Sequence, residues 1–282
     1  MPGAGRFRLE PEDFVRLARL VQAEGGISLP EAKAVLVRTR LVRRLRALGL
    51  RSFAAYADVV EGAGDAAARE REEMLSALTT NVTRFFREPH HFDTLRERLL
   101  PALAARARAG GRVRLWSAGC STGEEPYSLA LTVLEALPEA ATLDVRILAT
   151  DLDRRVLATG TAGLYAARAA QSIPPASLAR HFRRVASEDG TRYAAGPALR
   201  ALVTFRQLNL ARPLPVRGHF DAIFCRNVVI YFDEATERQV WCGLSQRLLP
   251  GGWLFIGHSE RIDTGALPEL ESDGVSSYRR VA

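Results

Sequence analysis

Apolar residues recur at helical spacing through the first part of the chain. Phe14, Leu17, Ala18, Leu20 and Val21 follow Glu10-Pro11-Glu12-Asp13, a run suited to an N-terminal cap, and Gly25-Gly26 closes the helix they predict. Pro30 and Glu31 open a second helix that stops near Gly49, with Val37, Leu41, Leu45 and Leu48 on one face. Two more helices are expected over residues 52–61 and 66–78. The stretch TTNVTRFFREPHHF, residues 79–92, reads as a capped helix start: Asn81 and Thr83 are turn and cap formers, Phe85 and Phe86 an aromatic anchor, and Arg87 follows directly. A helix through Leu95, Leu99, Leu100, Leu103 and Ala107 then runs to Gly110-Gly111.

From residue 112 the period changes to strand, helix, strand. Apolar strands are expected at 113–116, at 145–150 ending in Asp151, at 202–208 ending at Asn209, at 222–225 ending in Arg226-Asn227, and at 253–257. Helices follow the first, second and fourth of these, the last over 234–249. Residues 160–199 interrupt the alternation with a short helix, 175–181, and two runs, 182–185 and 192–195, around a polar turn. That pattern predicts a small antiparallel insertion, placed at about 170–202. The run 276–281 alternates like a final antiparallel strand. The fold class expected is α/β, a Rossmann-like, mostly parallel sheet with an antiparallel last strand. An all-α domain over 1–78 precedes it, and the sheet domain covers 79–282.

Composition narrows the setting. The 282 residues suit one domain of about 200 residues and a small extra one, and 47% hydrophobic content is ample for a packed core. No apolar run approaches the roughly 20 residues of a membrane span, and the start has no signal-peptide core. A soluble, cytoplasmic protein without membrane insertion is expected. Cys120, Cys225 and Cys242 are odd in number and not at metal-ligand spacing, so free thiols in a reducing compartment are expected. A net charge of +7 points to an acidic partner. In the second helix Lys33, Arg40 and Arg44 fall within a narrow arc flanked by Arg43, and no acidic residue occurs from Ala32 to Ala57. Such a stripe is either a solvated face or a docking surface.

The chemistry centres on LWSAGCSTGEEPYS, residues 115–128, a strand, a glycine turn and a helix start. A P-loop needs Lys and Ser/Thr after its second glycine, where this turn offers Glu124 and Glu125. Two carboxylates at a helix N-terminus would also repel a pyrophosphate. They suit a cationic cofactor without phosphate, such as the sulfonium S-adenosylmethionine (SAM), or they merely complement the helix dipole. Glycine in such a turn lets backbone approach a ligand closely. Asp151, about 30 residues after the turn, is where a nucleoside-binding βαβ unit holds a ribose hydroxyl, or it is an ordinary helix cap. Arg226-Asn227 inside an apolar stretch is costly to bury without partners, which favours a ligand-facing role. His90 and His91 are neighbours on a helix and are expected to point apart, so no metal site is expected. His258-Ser259-Glu260 are consecutive, cannot converge as a triad, and read as rim residues.

Taken together, NVTRFFREPHHF, WSAGCSTGEEPYS, ATDLD, the strand ending in Asn209-Leu210, IFCRNVVIYF and IGHSE resemble the chemotaxis receptor methyltransferases, the CheR family. The resemblance covers nearly the whole chain. It implies a class I SAM-dependent methyltransferase that converts glutamate side chains of chemoreceptor signalling helices to methyl esters. It places Asn81, Thr83 and Arg87 over the cofactor, Glu125 at its methionine part or the neighbouring turn, and Asp151 at the ribose. Asn209 and Leu210 then lie near the adenine, and Arg226 and Asn227 near the amino-acid end. Arg87 and Tyr231 are implied nearest the transferred methyl, with Glu124 left as the dipole cap. The basic helix looks like the family's receptor-contacting surface. In some members the inserted hairpin binds a receptor tail peptide, an ability that the loop 186–190 would decide. Two alternatives stay open. A nucleic-acid methyltransferase fits the charge, yet the amino-methylating kind carries an Asn/Asp-Pro-Pro-Tyr-like stretch where this chain reads RNVVIYF, so no nucleic acid is expected. An inactive SAM-binding regulatory module would have no need of the whole polar rim.

Overall fold

The computed structural model describes residues 7–187 and 190–281. It divides into two compact units, one of residues 1–80 with 231–237 and one of residues 81–230 with 238–282. Among its described residues the first unit holds the α-helices α1 (Pro11–Gly25), α2 (Ala34–Ala47), α3 (Phe53–Glu61) and α4 (Asp65–Leu78). Their apolar stripes supply the core, with Leu17, Val21, Leu41, Leu45, Phe53, Tyr56 and Met74 all buried. Ser52 caps α3, its hydroxyl accepting from Ala55 N at 3.1 Å. Two arginines of the basic arc turn inward. Arg44 forms a two-pronged pair with the buried Glu70, at 2.9 and 2.6 Å, and Tyr56 donates to the same carboxylate. Arg40 donates to the carbonyls of Leu78 and Thr79. These two residues tie α2 to α4, and the exposed positive charge of α2 is left to residues such as Arg38 and Arg43.

The second unit opens with an irregular segment, 81–89, not the helix start expected there. Phe86 and Glu88 have positive φ, 51° and 54°, which no helix accommodates. The helix begins only at α5 (His90–Thr94) and runs through one π-type stretch, Leu95–Leu99, into α6 (Leu100–Arg108). Pro101 has no N–H to give and Leu100 N reaches back to Leu95 O, which explains the widened turn.

The sheet is built from β1 (Val113–Ala118), α7 (Glu124–Ala136), β2 (Val145–Asp151) and α8 (Arg154–Ala162). An insertion follows: β3 (Leu164–Ala166), α9 (Ala167–Ala170), α10 (Pro175–His181), β4 (Phe182–Ser187), β5 (Gly190–Ala195) and α11 (Pro197–Leu202). The chain then completes the sheet with β6 (Val203–Gln207), β7 (Phe220–Cys225), α12 (Glu234–Ser245), β8 (Leu248–Ile256), β9 (Leu270–Ser272) and β10 (Ser277–Arg280). Seven strands run in the order β6-β2-β1-β7-β8-β10-β9. The contacts from β6 to β8 are parallel, and β10 is antiparallel to both neighbours, as the alternation of the final run predicts.

The insertion carries a three-stranded antiparallel sheet, β3-β5-β4. Its first strand is too short and too close to α8 for a sequence pattern to separate. Residues 188 and 189, in the loop expected to decide any tail-peptide recognition, lie outside the described residues. No helix of the described residues is long and apolar enough to cross a membrane.

The chain fills the sheet outward from β1 through β2 to β6, then returns to start again at β7. The reversal between β1 and β7 is the switch point of a doubly wound sheet, where the carboxyl ends of neighbouring strands leave a crevice.

Candidate cofactor site at the sheet switch point

Two glycines shape the turn after β1. Gly119 and Gly123 have φ of 85° and 95°. A Cβ on Gly119 would lie 2.3 Å from the Val228 side chain, and one on Gly123 would lie 2.8 Å from the Tyr165 hydroxyl. Close approach is demanded there by the protein's own atoms. The turn is tied to β2, because Gly119 N and Cys120 N both donate to Thr150 O at 2.8 Å. Burial pushes the Cys120 thiol well up, so it remains protonated.

Asp151, at the end of β2, accepts from Ser121 N at 2.8 Å and from Asp153 N at 3.0 Å. It is thus a link between two turns, and not the cap of α8; that cap is Asp153, which accepts from Arg155 N. Burial raises the Asp151 carboxyl against the pull of these amides. A carboxylate offers about four lone-pair sites, so acceptor capacity remains for a hydroxyl donor. Leu208 N donates to Asp151 O, which sets Asn209 and the buried Leu210 on the same rim as Asp151. Asn209 Oδ1 accepts from Ala211 N at 2.9 Å and shapes its own turn.

Asn81 reaches the same rim. Its side chain donates to Asp153 at 3.0 Å, and its carbonyl accepts from the Ser121 hydroxyl at 2.9 Å. Thr83 and Arg87 are half-buried on the segment that follows. Arg87 Nη1 rests on Val82 O at 3.0 Å. The aromatic anchor is observed: Phe85 is buried edge-on against Tyr165 and Phe182.

Arg226, at the end of β7, is the hub. Its Nη2 donates to Arg87 O, Nη1 lies 3.3 Å from Glu125 Oε2, Nη2 lies 3.6 Å from Glu88, and the guanidinium sits over Phe92. Glu125 also accepts from the Ser117 hydroxyl at 2.7 Å. Burial pushes the Glu125 carboxyl up, against the pull of Arg226. Glu124 instead accepts from the Thr122 hydroxyl at 2.6 Å, at the first turn of α7. The two neighbouring glutamates thus have separate environments. Eight buried polar side-chain atoms have no hydrogen-bond partner among the described residues, and Arg226 Nε, Arg226 Nη1 and Asn227 Oδ1 are among them. Orphaned guanidinium donors suit a carboxylate, and an orphaned amide oxygen suits an ammonium. An amino-acid moiety offers both groups, so the residues fit the methionine part of SAM.

Tyr231 belongs to the segment grouped with the helical unit, where its carbonyl accepts from Ser28 N. The other implied residues lie in the sheet unit.

Two functional candidates escaped the sequence. Glu88 lies 3.0 Å from His258 Nδ1, 3.6 Å from Arg226 and 3.6 Å from His91. Glu260, nearly fully buried, is the second; burial raises its carboxyl against the pull of four backbone amides. Both act through space across distant segments, and only the mixed polarity of FREPHHF and GHSE hinted at them. The histidine pair requires a correction as well. The rings of His90 and His91 are 4.2 Å apart, and with Glu88 they bring ligand atoms within 4.8 Å of one another. Successive helical residues diverge by only about 100°, so two long planar side chains can still touch. Arg226 and His258 already meet the charge of Glu88, and burial holds His91 neutral, its pKa pushed down to about 3.

A family model for the CheR methyltransferase SAM-binding domain matches residues 81–273, and one for the CheR all-alpha domain matches residues 12–79. A probable chemotaxis protein methyltransferase of Rhizobium etli is 46% identical over 260 residues, covering 92% of this chain and 96% of that protein. Chemotaxis protein methyltransferase 2 of Pseudomonas aeruginosa is 42% identical over 262 residues, covering 92% and 89%. The chemotaxis protein methyltransferase of Escherichia coli K12 is 40% identical over 257 residues, covering 90% and 86%.

Proposed function

The chain belongs to the CheR methyltransferase family, and from that premise we propose that it methylates glutamate side chains on the cytoplasmic signalling helices of chemotaxis receptors. SAM is its cofactor and supplies an electrophilic methyl group when bound. The observation that carries the assignment is the buried Arg226, whose Nε and Nη1 lack hydrogen-bond partners and which faces Glu125 at 3.3 Å, a charge pattern that suits an amino-acid zwitterion at the switch point. In this reading Glu125, Arg226 and Asn227 hold the amino-acid end of the cofactor, Asp151 the ribose, Asn209 and Leu210 the adenine side, and Asn81 and Thr83 cover it.

The substrate explains why no general base stands out. A glutamate with an ordinary pKa of about 4.3 is already an anion at pH 7. The chain's task is to hold that carboxylate in line and remove its water, which is catalysis by proximity and orientation. Arg87 is the group for this work. Its guanidinium rests on a single backbone carbonyl and keeps other donors for a carboxylate. Too tight a pair would quench the nucleophile, so an orienting contact is better than a buried one. Tyr231 contributes a hydrogen-bond donor to the same substrate group. Arg38 and Arg43, exposed on α2, are assigned to acidic receptor helices. The protein works in the cytoplasm, and a receptor tail peptide is a candidate ligand of the β4–β5 hairpin.

The direct test is transfer of labelled methyl from SAM to receptor-bearing membranes. Label released as methanol by mild base is the expected result. Base-stable label, or label in nucleic acid, would refute the ester assignment.

A further inference from the structure

Glu260 follows β8 and is 3% exposed, yet the partners of its carboxylate are backbone amides: Oε2 accepts from Gly257 N at 2.6 Å and Asn227 N at 3.0 Å, and Oε1 from Val228 N at 2.9 Å and Val229 N at 3.0 Å. A carboxylate is expensive to bury and needs compensation of this kind. Three of the four amides belong to consecutive residues of the loop after β7. That loop is otherwise hard to hold, because Asn227 sits in the left-handed region with φ of 59°. Gly257 lies against it: a Cβ there would be 2.6 Å from Asn227 Nδ2 and 2.8 Å from its backbone nitrogen. The next loop residue, Val228, packs on the turn after β1 at Gly119.

We infer that Glu260 is a positioning residue for the cofactor: its carboxylate fixes the backbone of residues 227–229, and so aims Arg226 and Asn227 and props the turn after β1. The inference rests on the assignment of Arg226 and Asn227 to the cofactor's amino-acid end. The Glu260 carboxylate itself meets the loop amides and Gly257 N. Its acceptor role requires an anion, because an amide in its place turns two N–H donors toward a set of N–H donors.

The test uses the full chain and calorimetric titration with S-adenosylhomocysteine. Glu260→Gln is expected to weaken binding about tenfold or more, the scale of losing hydrogen bonds to a charged acceptor. The loss caused by Arg226→Ala should then shrink in the Glu260→Gln background, since both changes act on one contact. Leu199→Ala, in the core away from this loop, controls for a general loss of stability and should leave affinity unchanged at a comparable fall in Tm. If Glu260→Gln does not fold, Gly257→Ala tests the same device by displacing Asn227 with the carboxylate intact, and the same loss is expected. Affinity within about twofold of wild type in the folded variant, or an equal loss in Leu199→Ala, overturns the proposal. Failure of the wild-type protein to bind S-adenosylhomocysteine would instead overturn the cofactor assignment on which it rests.

Discussion

At the scale of single residues, position relative to the crevice separates chemistry from support. Arg87 rests on one carbonyl and is half-buried, whereas Arg226 is enclosed by Arg87 O, Glu88 and Glu125. Arg87→Ala is therefore expected to lower turnover about 100-fold, the usual scale for lost orientation, while S-adenosylhomocysteine affinity in calorimetry moves little. Arg226→Ala should do the reverse, weakening the product complex and lowering Tm because Glu125 is left buried without its cation. His91 gives a pH signature. Burial, with Arg226 and His90 adding to it, puts its pKa at about 3 in the fold, against about 6.5 unfolded. Above pH 6.5 it has no effect. As pH falls from there toward 3, the unfolded chain takes up a proton that the fold refuses, and stability drops by about 1.4 kcal/mol per unit. His91→Phe, placed among Phe224 and Phe255, should flatten the acid limb of a Tm-against-pH profile, and an unchanged limb would disprove this. Asp151 and Arg226-Asn227 were legible as polar residues at strand ends because strand ends announce themselves in the hydrophobic pattern. Glu88 and Glu260 were not, since what defines them is the company of residues far along the chain.

At the scale of elements, periodicity located nearly every helix and strand of the sheet but not the reason each stays in place. The arc of Lys33, Arg40 and Arg44 was legible as a basic stripe, yet the partner of Arg44 is on α4, 26 residues away. Sequence patterning cannot tell a solvated arginine from one paired with a buried glutamate. Glu70→Ala strands the Tyr56 hydroxyl and leaves Arg44 its pair with Glu73 at 3.0 Å, so a loss of about 2–3 kcal/mol is expected, read by denaturant unfolding. Hydrogen exchange should place the added opening in residues 34–78. A loss below about 1 kcal/mol would mean that the pair behaves as a surface ion pair. Segment 81–89 shows the opposite failure. Its cap-forming residues promised a helix, but Asn81 spends its side chain on Asp153 and its carbonyl on Ser121, and tertiary contacts override local preference.

At the scale of the whole molecule, strand order follows from the alternation of elements and the right-handedness of parallel crossovers, which is why the sheet could be anticipated and the short β3 could not. The net charge of +7 belongs to this scale too. Methylation of receptor membranes should slow as salt rises. Charge reversal at Arg38 and Arg43 should raise the KM for receptor while leaving the dissociation constant for S-adenosylhomocysteine unchanged, and an equal effect on both would remove α2 from receptor docking. The helical unit is not one continuous piece of chain. Residues 231–237 return to it, where Ile27 bridges Phe232 and Gln22 donates to Asp233 at 2.6 Å. A gene cut at residue 80 therefore severs a stretch of sequence but not a structural module. A fragment ending there carries Ile27 and Gln22 with their partners missing, and transplanting this unit between homologues requires exchanging two segments together, the second only seven residues long.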